Sequence, residues 1–374
     1  MTQPLWVATR KGLFHLRPES GWRIDPPSFL GDPVAMLLDD ARDGTVYAAL
    51  NLGHFGSKLH RSADRGATWE EVAVPSYAGL PAADKPPAAD GATPAPPPEP
   101  PTLKMLWALE PGGADQPGRL WAGTLPGGLF KSDDRGATWE ICRALWDEPS
   151  RAQWFGGGYD WPGVHSVMVD PRDSTHVLIG VSCGGAWASD DDGASWSCRA
   201  TGMRADYMPP EKRDDPVIQD PHRIVSCAAA PDTLWTQHHC GVFRSTDGGR
   251  QWHGVDAARP SGFGFAVAVH PARPDTAWFA PAVKDERRVP VDGKLVVSRT
   301  TDGGTTFDVI DRGLPSPSYD LVYRHALDVD ATGNVLAMGS TTGGLWISTD
   351  GGDSWRTVST SLPPVYAVRF GIGN

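Results

Sequence analysis

Six copies of one turn and a spare strand at the C-terminal end predict an all-β chain folded as a seven-bladed β-propeller. In its fullest form the turn is Ser132-Asp133-Asp134-Arg135-Gly136-Ala137-Thr138-Trp139, or Ser-x-Asp-x-Gly-x-Thr-Trp. It recurs at Ser62 to Trp69, Ser189 to Trp196, Ser245 to Trp252 and Ser348 to Trp355, with a looser copy from Thr300 to Phe307. Each copy follows a short apolar run of strand character. Such self-similarity marks a repeat architecture, in which a unit buries its faces only against its neighbours. The 374 residues are therefore read as one ring spanning 1–374, although length alone would allow two or three domains.

The composition of the turn accounts for its recurrence. The aspartates Asp64, Asp134, Asp191, Asp247, Asp302 and Asp350 can accept backbone N–H bonds within the turn. The glycine two residues later supplies a positive φ, and the closing Trp is large enough to pack between sheets. Six equivalent carboxylates spread around a ring cannot serve one active site, so their role is read as structural.

With the turn joining the third and fourth strands of each blade, the remaining strands can be laid out in order. Blade 2 runs from Ala35 to Val74, blade 3 from Leu103 to Arg143 and blade 4 from Val164 to Arg199. Blade 5 runs from Arg223 to Val255, blade 6 from Gly264 to Ile310, and blade 7 from Leu321 to Val358 with a first strand over Leu321–Val329. At the N-terminal end, Leu5–Arg10, Gly12–Leu16 and Gly21–Asp25 resemble second, third and fourth strands without a first. The run Val365-Tyr366-Ala367-Val368-Arg369-Phe370 is a strand without a blade. Joining the two ends completes blade 1 and removes the open sheet edges. The Pro/Ala-rich stretch 75–101, between blades 2 and 3, is expected to be an extended inserted loop.

These turns resemble those of the Asp-box (BNR-repeat) β-propellers, a group that includes sialidases, two-propeller xyloglucanases, sortilin-type receptors and photosystem assembly factors. The chain is also similar to bacterial proteins labelled sialidase or glycosyl hydrolase on their repeats. The resemblance implies the fold over nearly the whole chain and little about activity. Sialidases carry an Arg-Ile-Pro segment near the start of the propeller. Here the nearest run is Arg223-Ile224-Val225, late in the chain, so no sialidase catalytic residue is carried over.

Bulk properties narrow the function. A net charge of −11 argues against a nucleic-acid partner, which would need a basic stripe. No apolar run is long enough to span a bilayer. The start Met1-Thr2-Gln3-Pro4-Leu5 has no charged, apolar leader character, and cytoplasmic residence is expected. Five cysteines without Cys-x-x-Cys spacing are expected to be reduced thiols.

In a propeller the Asp turns share one rim with the turns between first and second strands, so chemistry is sought on the opposite rim. That rim holds Trp154 to Trp161, Arg204 to Pro210, Gln219 to Arg223, Gln237 to Cys240, Lys284 to Arg288 and Tyr319 to His325. Two readings follow. Several histidines with a carboxylate form a common inventory for one divalent metal (Zn, Mn or Fe), with His165, His222, His239 and His325 as ligands. Alternatively, a pair drawn from Asp160, Asp206, Asp220 and Asp285 could cleave a glycoside. The candidates for catalysis are Asp220, His222, Asp285 and Tyr207. Those for substrate binding are Trp154, Tyr159, Asp160, Arg204, Lys284, Tyr323 and Arg324. Strand alternation predicts that Asp220 shares a face with His222, and Tyr323 with His325. His165 and His325 should lie on nearly opposite sides of the central channel. His270, in Val269-His270-Pro271, falls on the Asp-turn rim and is read as structural. The expected function is a hydrolase or lyase acting on a carbohydrate-like or polar small molecule; the alternative is a non-catalytic propeller that binds a protein partner or assists assembly.

Overall fold

Seven four-stranded antiparallel sheets form a ring in the computed structural model, which describes residues 3–19, 21–80 and 101–372. Blade 1 is assembled from both ends of the chain. Val365–Phe370 is its inner strand, and Leu5–Thr9, Gly12–Pro18 and Trp22–Ile24 follow outward. The closing ladder pairs Leu5 with Phe370, Trp6 with Arg369, Val7 with Val368 and Ala8 with Ala367. The other inner strands are Val34–Asp39, Met105–Pro111, Gly163–Asp170, Pro221–Cys227, Gly264–Val269 and Leu327–Val329.

The recurring turns are held by their own side chains. Asp64 Oδ1 accepts from Ser62 Oγ at 2.8 Å and from the Thr68 N–H at 2.8 Å, while Oδ2 accepts from Thr68 Oγ1 at 2.6 Å. Ser62 Oγ in turn accepts from the Gly66 N–H at 2.7 Å. The same set recurs around Asp134, Asp191, Asp302 and Asp350. Around Asp247 a Gln replaces the second hydroxyl residue: the bonds from Ser245 Oγ at 2.8 Å and the Gln251 N–H at 3.0 Å remain, and the hydroxyl bond to Oδ2 is lost. The Trp that closes the turn precedes the outer strand, which begins one residue later, as at Glu70–Val72 and Glu140–Ile141. Its indole instead joins blades. Trp139 Nε1 donates to Ala73 O at 2.9 Å and Trp252 Nε1 to Arg199 O at 2.6 Å. His270 has a similar local role, its Nδ1 accepting from the Ala272 and Arg273 N–H groups at 3.0 and 3.1 Å.

The core is divided among the blades. Leu59, Leu106, Leu120 and Phe130 pack between blades 2 and 3, Trp121, Ile179 and Trp187 between 3 and 4, and Leu178, Ile224 and Trp252 between 4 and 5. Alternate side chains of a strand face opposite neighbours, so every sheet is apolar on both faces. All five cysteines are free, and no helix among the described residues is long and apolar enough to cross a membrane.

The stretch 75–101 begins with an anchored residue: Tyr77 is buried against Phe130 and Trp146, and its hydroxyl donates to Pro126 O at 2.5 Å. Residues 81–100 of that stretch lie outside the described residues. One expectation is corrected: in blade 7 the inner strand covers only Leu327–Val329 rather than Leu321–Val329, because Asp320 holds the preceding segment in a loop. Its carboxylate accepts from Ser318 Oγ at 2.5 Å and Ser340 Oγ at 2.5 Å, and also from Thr342 Oγ1.

Removal of residues 365–374 should open blade 1 and leave Leu5–Thr9 as a bare edge. We expect insoluble or non-cooperatively unfolding protein, read by expression yield and calorimetry; a soluble, cooperative fragment would refute closure by this strand. Acid should act through the turns. Bonds from Thr68 and Ser62 lower Asp64 to about 2, and bonds from Thr306 and Thr300 lower Asp302 to about 2. Depressed carboxylates contribute stability above their unfolded value of about 3.9 and lose it as pH falls toward the folded value. The unfolding temperature should therefore fall between about pH 4 and pH 2, with a shallower slope in an Asp302→Asn variant. An unchanged slope in that variant would rule the turn carboxylate out as a source.

Candidate functional site

One irregularity recurs at the same level of the ring. In six blades the inner strand carries an extra residue, near the start of the strand, relative to its ladder partner. In blade 3 Leu106 pairs with Thr124 and Ala108 with Gly123, leaving Trp107 unpaired. The equivalent bulges fall at Ala35, His165, His222, Phe265 to Ala266, and Tyr366. A bulge twists the strand and re-aims a side chain. Ala35, Trp107, Phe265 and Tyr366 accordingly line one cavity of about 410 Å³ at the channel mouth. His165 meets Trp107 edge-on at 5.6 Å, and His222 stacks on Phe265 at 4.4 Å.

Blade 7 reaches the same cavity through its loop. A turn closed by the Ala326 N–H and Tyr323 O at 3.0 Å presents Tyr323, Arg324 and His325 to it. Arg324 lies 4.8 Å over the Trp107 ring and 5.1 Å over Phe265. Below the mouth the channel is filled by ions. Arg369 binds Glu110 through two bonds of 2.9 and 2.5 Å, and Arg223 Nη1 donates to His165 O at 3.2 Å. Burial lowers Arg223 to about 10 despite the Glu110 charge. Burial, with Arg324 and Arg223 nearby, also pushes both His165 and His325 well below the usual histidine range, so both are neutral.

Beside the cavity, Asp220, His222 and His239 each direct one ligand atom at a common point, with these atoms within 4.8 Å of one another. Asp220 Oδ2 is 3.4 Å from His222 Nε2 and 3.4 Å from His239 Nδ1. Asp220 Oδ1 accepts from Ser182 Oγ at 3.1 Å and from the Cys183 N–H at 3.1 Å. Cys183 holds φ at 50°, a left-handed conformation that non-glycine residues rarely take. The Asp220 backbone is fixed by His238 Nε2, which accepts its N–H at 3.1 Å, and by the His239 N–H, which donates to its carbonyl at 2.9 Å. His222 Nδ1 donates to Gly264 O at 2.6 Å. Burial opposes the Asp220 charge, but His222, His239 and Arg324 outweigh it and hold the carboxyl well below its ordinary range.

The glycines Gly156-Gly157-Gly158 cover this cluster. A Cβ on Gly157 would stand 2.9 Å from Cys183 Sγ and 3.4 Å from Asp220 Oδ2. The next two residues, Gly158 and Tyr159, line the large cavity. A single turn of loop thus separates the cluster from the pocket.

Of the residues named from sequence, the structure assembles Asp220, His222 and His239, with Tyr207 edge-on to His239 at 4.8 Å. Tyr159, Tyr323, Arg324 and His325 meet in the cavity. His165 and His325 are buried and lie outside the Asp220 group. His325 is not on a strand, so the alternation argument does not apply to it. Trp154 is 3 % exposed and packs on Trp187 within the blade 3–4 core, which removes it from substrate contact. Arg204 is tied to Asp206 at 2.8 Å on an exposed loop, and Lys284 to Glu286 at 3.2 Å. Asp285 pairs with Arg288 and Asp160 is exposed, so neither joins the Asp220 group. Sequence reading missed Trp107, Phe265 and Tyr366. The run of three glycines was the available signal for the covering loop.

Fold and site together define a seven-bladed β-propeller with an aromatic and ionic pocket at one end of its channel. Comparison of the sequence with family profiles and with curated proteins gives no match. Solved propellers do superpose. An ancestral GH74 enzyme does so with a TM-score of 0.59 at 15 % identity, covering 96 % of this chain, which spans 40 % of that enzyme. YCF48 from Cyanidioschyzon merolae gives 0.52 at 12 % identity over 88 % of this chain and 87 % of its own. YCF48 bound to D1 peptide gives 0.50 at 13 % identity, covering 87 % and 81 %. At these identities the likeness establishes the fold alone.

The burial of Trp154 separates a core role from a contact role. Trp154→Ala should cost about 3–5 kcal/mol of stability, read by denaturant unfolding. A stable variant with weakened ligand binding would restore it to the binding surface.

Proposed function

We propose that the chain is a metal-dependent hydrolase or lyase acting on a polar, carbohydrate-like small molecule at the channel mouth, of the Asp-box type its turns resemble. Asp220, His222 and His239 would hold one divalent ion (Zn, Mn or Fe). One observation carries this reading. Because His222 Nδ1 donates its hydrogen to Gly264 O, the Nε2 of the neutral ring presents a lone pair to the Asp220 carboxylate at 3.4 Å. Two acceptors facing one another need a proton or a metal ion between them, and 3.4 Å is long for a hydrogen bond to a carboxylate. A second-sphere bond from a ligating histidine to a carbonyl is the usual support for such a site. Ligand atoms about 2.1 Å from a shared ion at the tetrahedral angle stand about 3.4 Å apart, which is the spacing on both sides of Asp220 Oδ2.

Two histidines and one carboxylate leave coordination positions open. A bound ion would supply Lewis-acid polarisation of a substrate oxygen or an activated water. The protein's own groups do the rest. Ser182 and Cys183 fix the carboxylate, and the glycine loop shields it. Tyr207, whose hydroxyl burial keeps protonated and which donates to Ile218 O at 3.3 Å, stands edge-on to His239 and would orient it.

A second reading is supported by the exposed tyrosines Tyr159, Tyr207, Tyr319 and Tyr323 on the loops of this face: a propeller that binds a protein partner, as YCF48 binds a D1 peptide.

Elemental analysis of untagged protein decides between them. We expect about one equivalent of a transition metal per chain, lost in His222→Ala and Asp220→Asn without loss of fold. Metal-free protein, or variants that keep their metal, would refute the assignment.

A further inference from the structure

The cavity at the channel mouth contains a cation without an anion. Arg324 Nε is buried, and no hydrogen bond or ion pair to Arg324 is found among the described residues. Arg288 pairs with Asp285, Arg204 with Asp206, and Arg369, deeper, with Glu110, while Arg223 donates to the His165 carbonyl at 3.2 Å. Asp220 is the acid whose charge Arg324 feels most, but its oxygens already serve Ser182, Cys183 and two histidines. Trp107 and Phe265 lie against the guanidinium, so what remains free is its edge of N–H donors. That fork matches a carboxylate through two parallel bonds.

The surroundings narrow the ligand further. His325 is 8 % exposed, and both its ring nitrogens lack partners among the described residues. It lines the same cavity as Asn51, Tyr159, Tyr323 and Tyr366. These groups offer aromatic faces together with hydrogen-bonding edges, which suits a hydroxylated ring. A volume of about 410 Å³ admits a ligand of one or two sugar rings. In the cavity, one guanidinium without an ion pair among the described residues, in a chain of net charge −11, suits a single carboxylate better than a phosphate dianion.

We propose that this pocket binds a sugar acid of the uronate class, with its carboxylate on the edge of Arg324 and its ring among Tyr159, Tyr323 and Tyr366. The inference rests on the reading of the channel mouth as a substrate site but is independent of whether a metal is bound.

The test is calorimetric titration of the full chain with D-glucuronate and with D-glucose, repeated on Arg324→Met and Arg324→Lys after circular dichroism confirms their fold. Glucuronate should bind at least about tenfold more tightly than glucose, as expected for a buried bond to a charged group. Arg324→Met should abolish that preference, and Arg324→Lys, which keeps the charge but not the fork, should weaken glucuronate by about tenfold. Equal binding of the two sugars by the wild type, no saturable glucuronate binding, or glucuronate binding unchanged in Arg324→Met would overturn the proposal. So would binding of a peptide with a free C-terminal carboxylate in place of glucuronate. The metal content of the same samples separates the two readings. Metal-free protein that still prefers glucuronate supports this inference and sinks the metal site; metal-loaded protein indifferent to glucuronate does the reverse.

Discussion

The structure depends on ring closure. Every sheet is apolar on both faces, so no blade is stable until a neighbour covers each side. The packed clusters lie between blades, and the one spanning blades 6, 7 and 1 joins Trp278, Trp346 and Val368 across the chain's two ends. The ladder between Leu5–Thr9 and Val365–Phe370 is therefore a precondition for all of them. It also brings Arg369 to Glu110, more than half the ring away in sequence, and places Tyr366 at the mouth.

Closure fixes where an irregular backbone can be used. The Asp turns, on one rim, satisfy their polar groups within eight residues and leave little free chemistry there. Toward the opposite rim the bulged residues occupy one level, so Trp107, His165, His222, Phe265 and Tyr366 turn to a common axis. Strand alternation would have sent some of these side chains into the inter-blade packing. The extra residue in each strand supplies the pocket, and the ladder resumes below it.

This division explains what could be read from the sequence. The turn is legible because Ser62, Asp64, Gly66 and Thr68 bond to one another, and the same local chemistry is written again for each copy. Asp220 and His222 were named from residues two apart, but Asp220 precedes the strand and His222 sits at its bulge, so the register and not simple alternation brings them together. Trp107 was not named, because a bulge is defined by the register of a partner strand that sequence does not show. Trp154 was misread for a related reason. Two tryptophans, Trp154 and Trp161, flank the glycines, and only tertiary packing against Trp187 shows that the first belongs to the core. In blade 7 the apolar run through Leu321 and Val322 looks like a strand, yet Asp320 pulls it into a loop through three hydroxyls.

Asp220 joins the two parts of the site. Its carboxylate faces two imidazoles on one side and feels Arg324 on the other, beneath a loop with no side chain at Gly157. In a chain carrying net charge −11, this corner is locally short of negative charge. His165 and His325, held neutral by burial with arginines nearby, add none. An anionic ligand seated at Arg324 would supply it, with a polar end directed toward the Asp220 group across a single turn of loop. The cavity and the Asp220 cluster are thus neighbours, separated by the glycine loop.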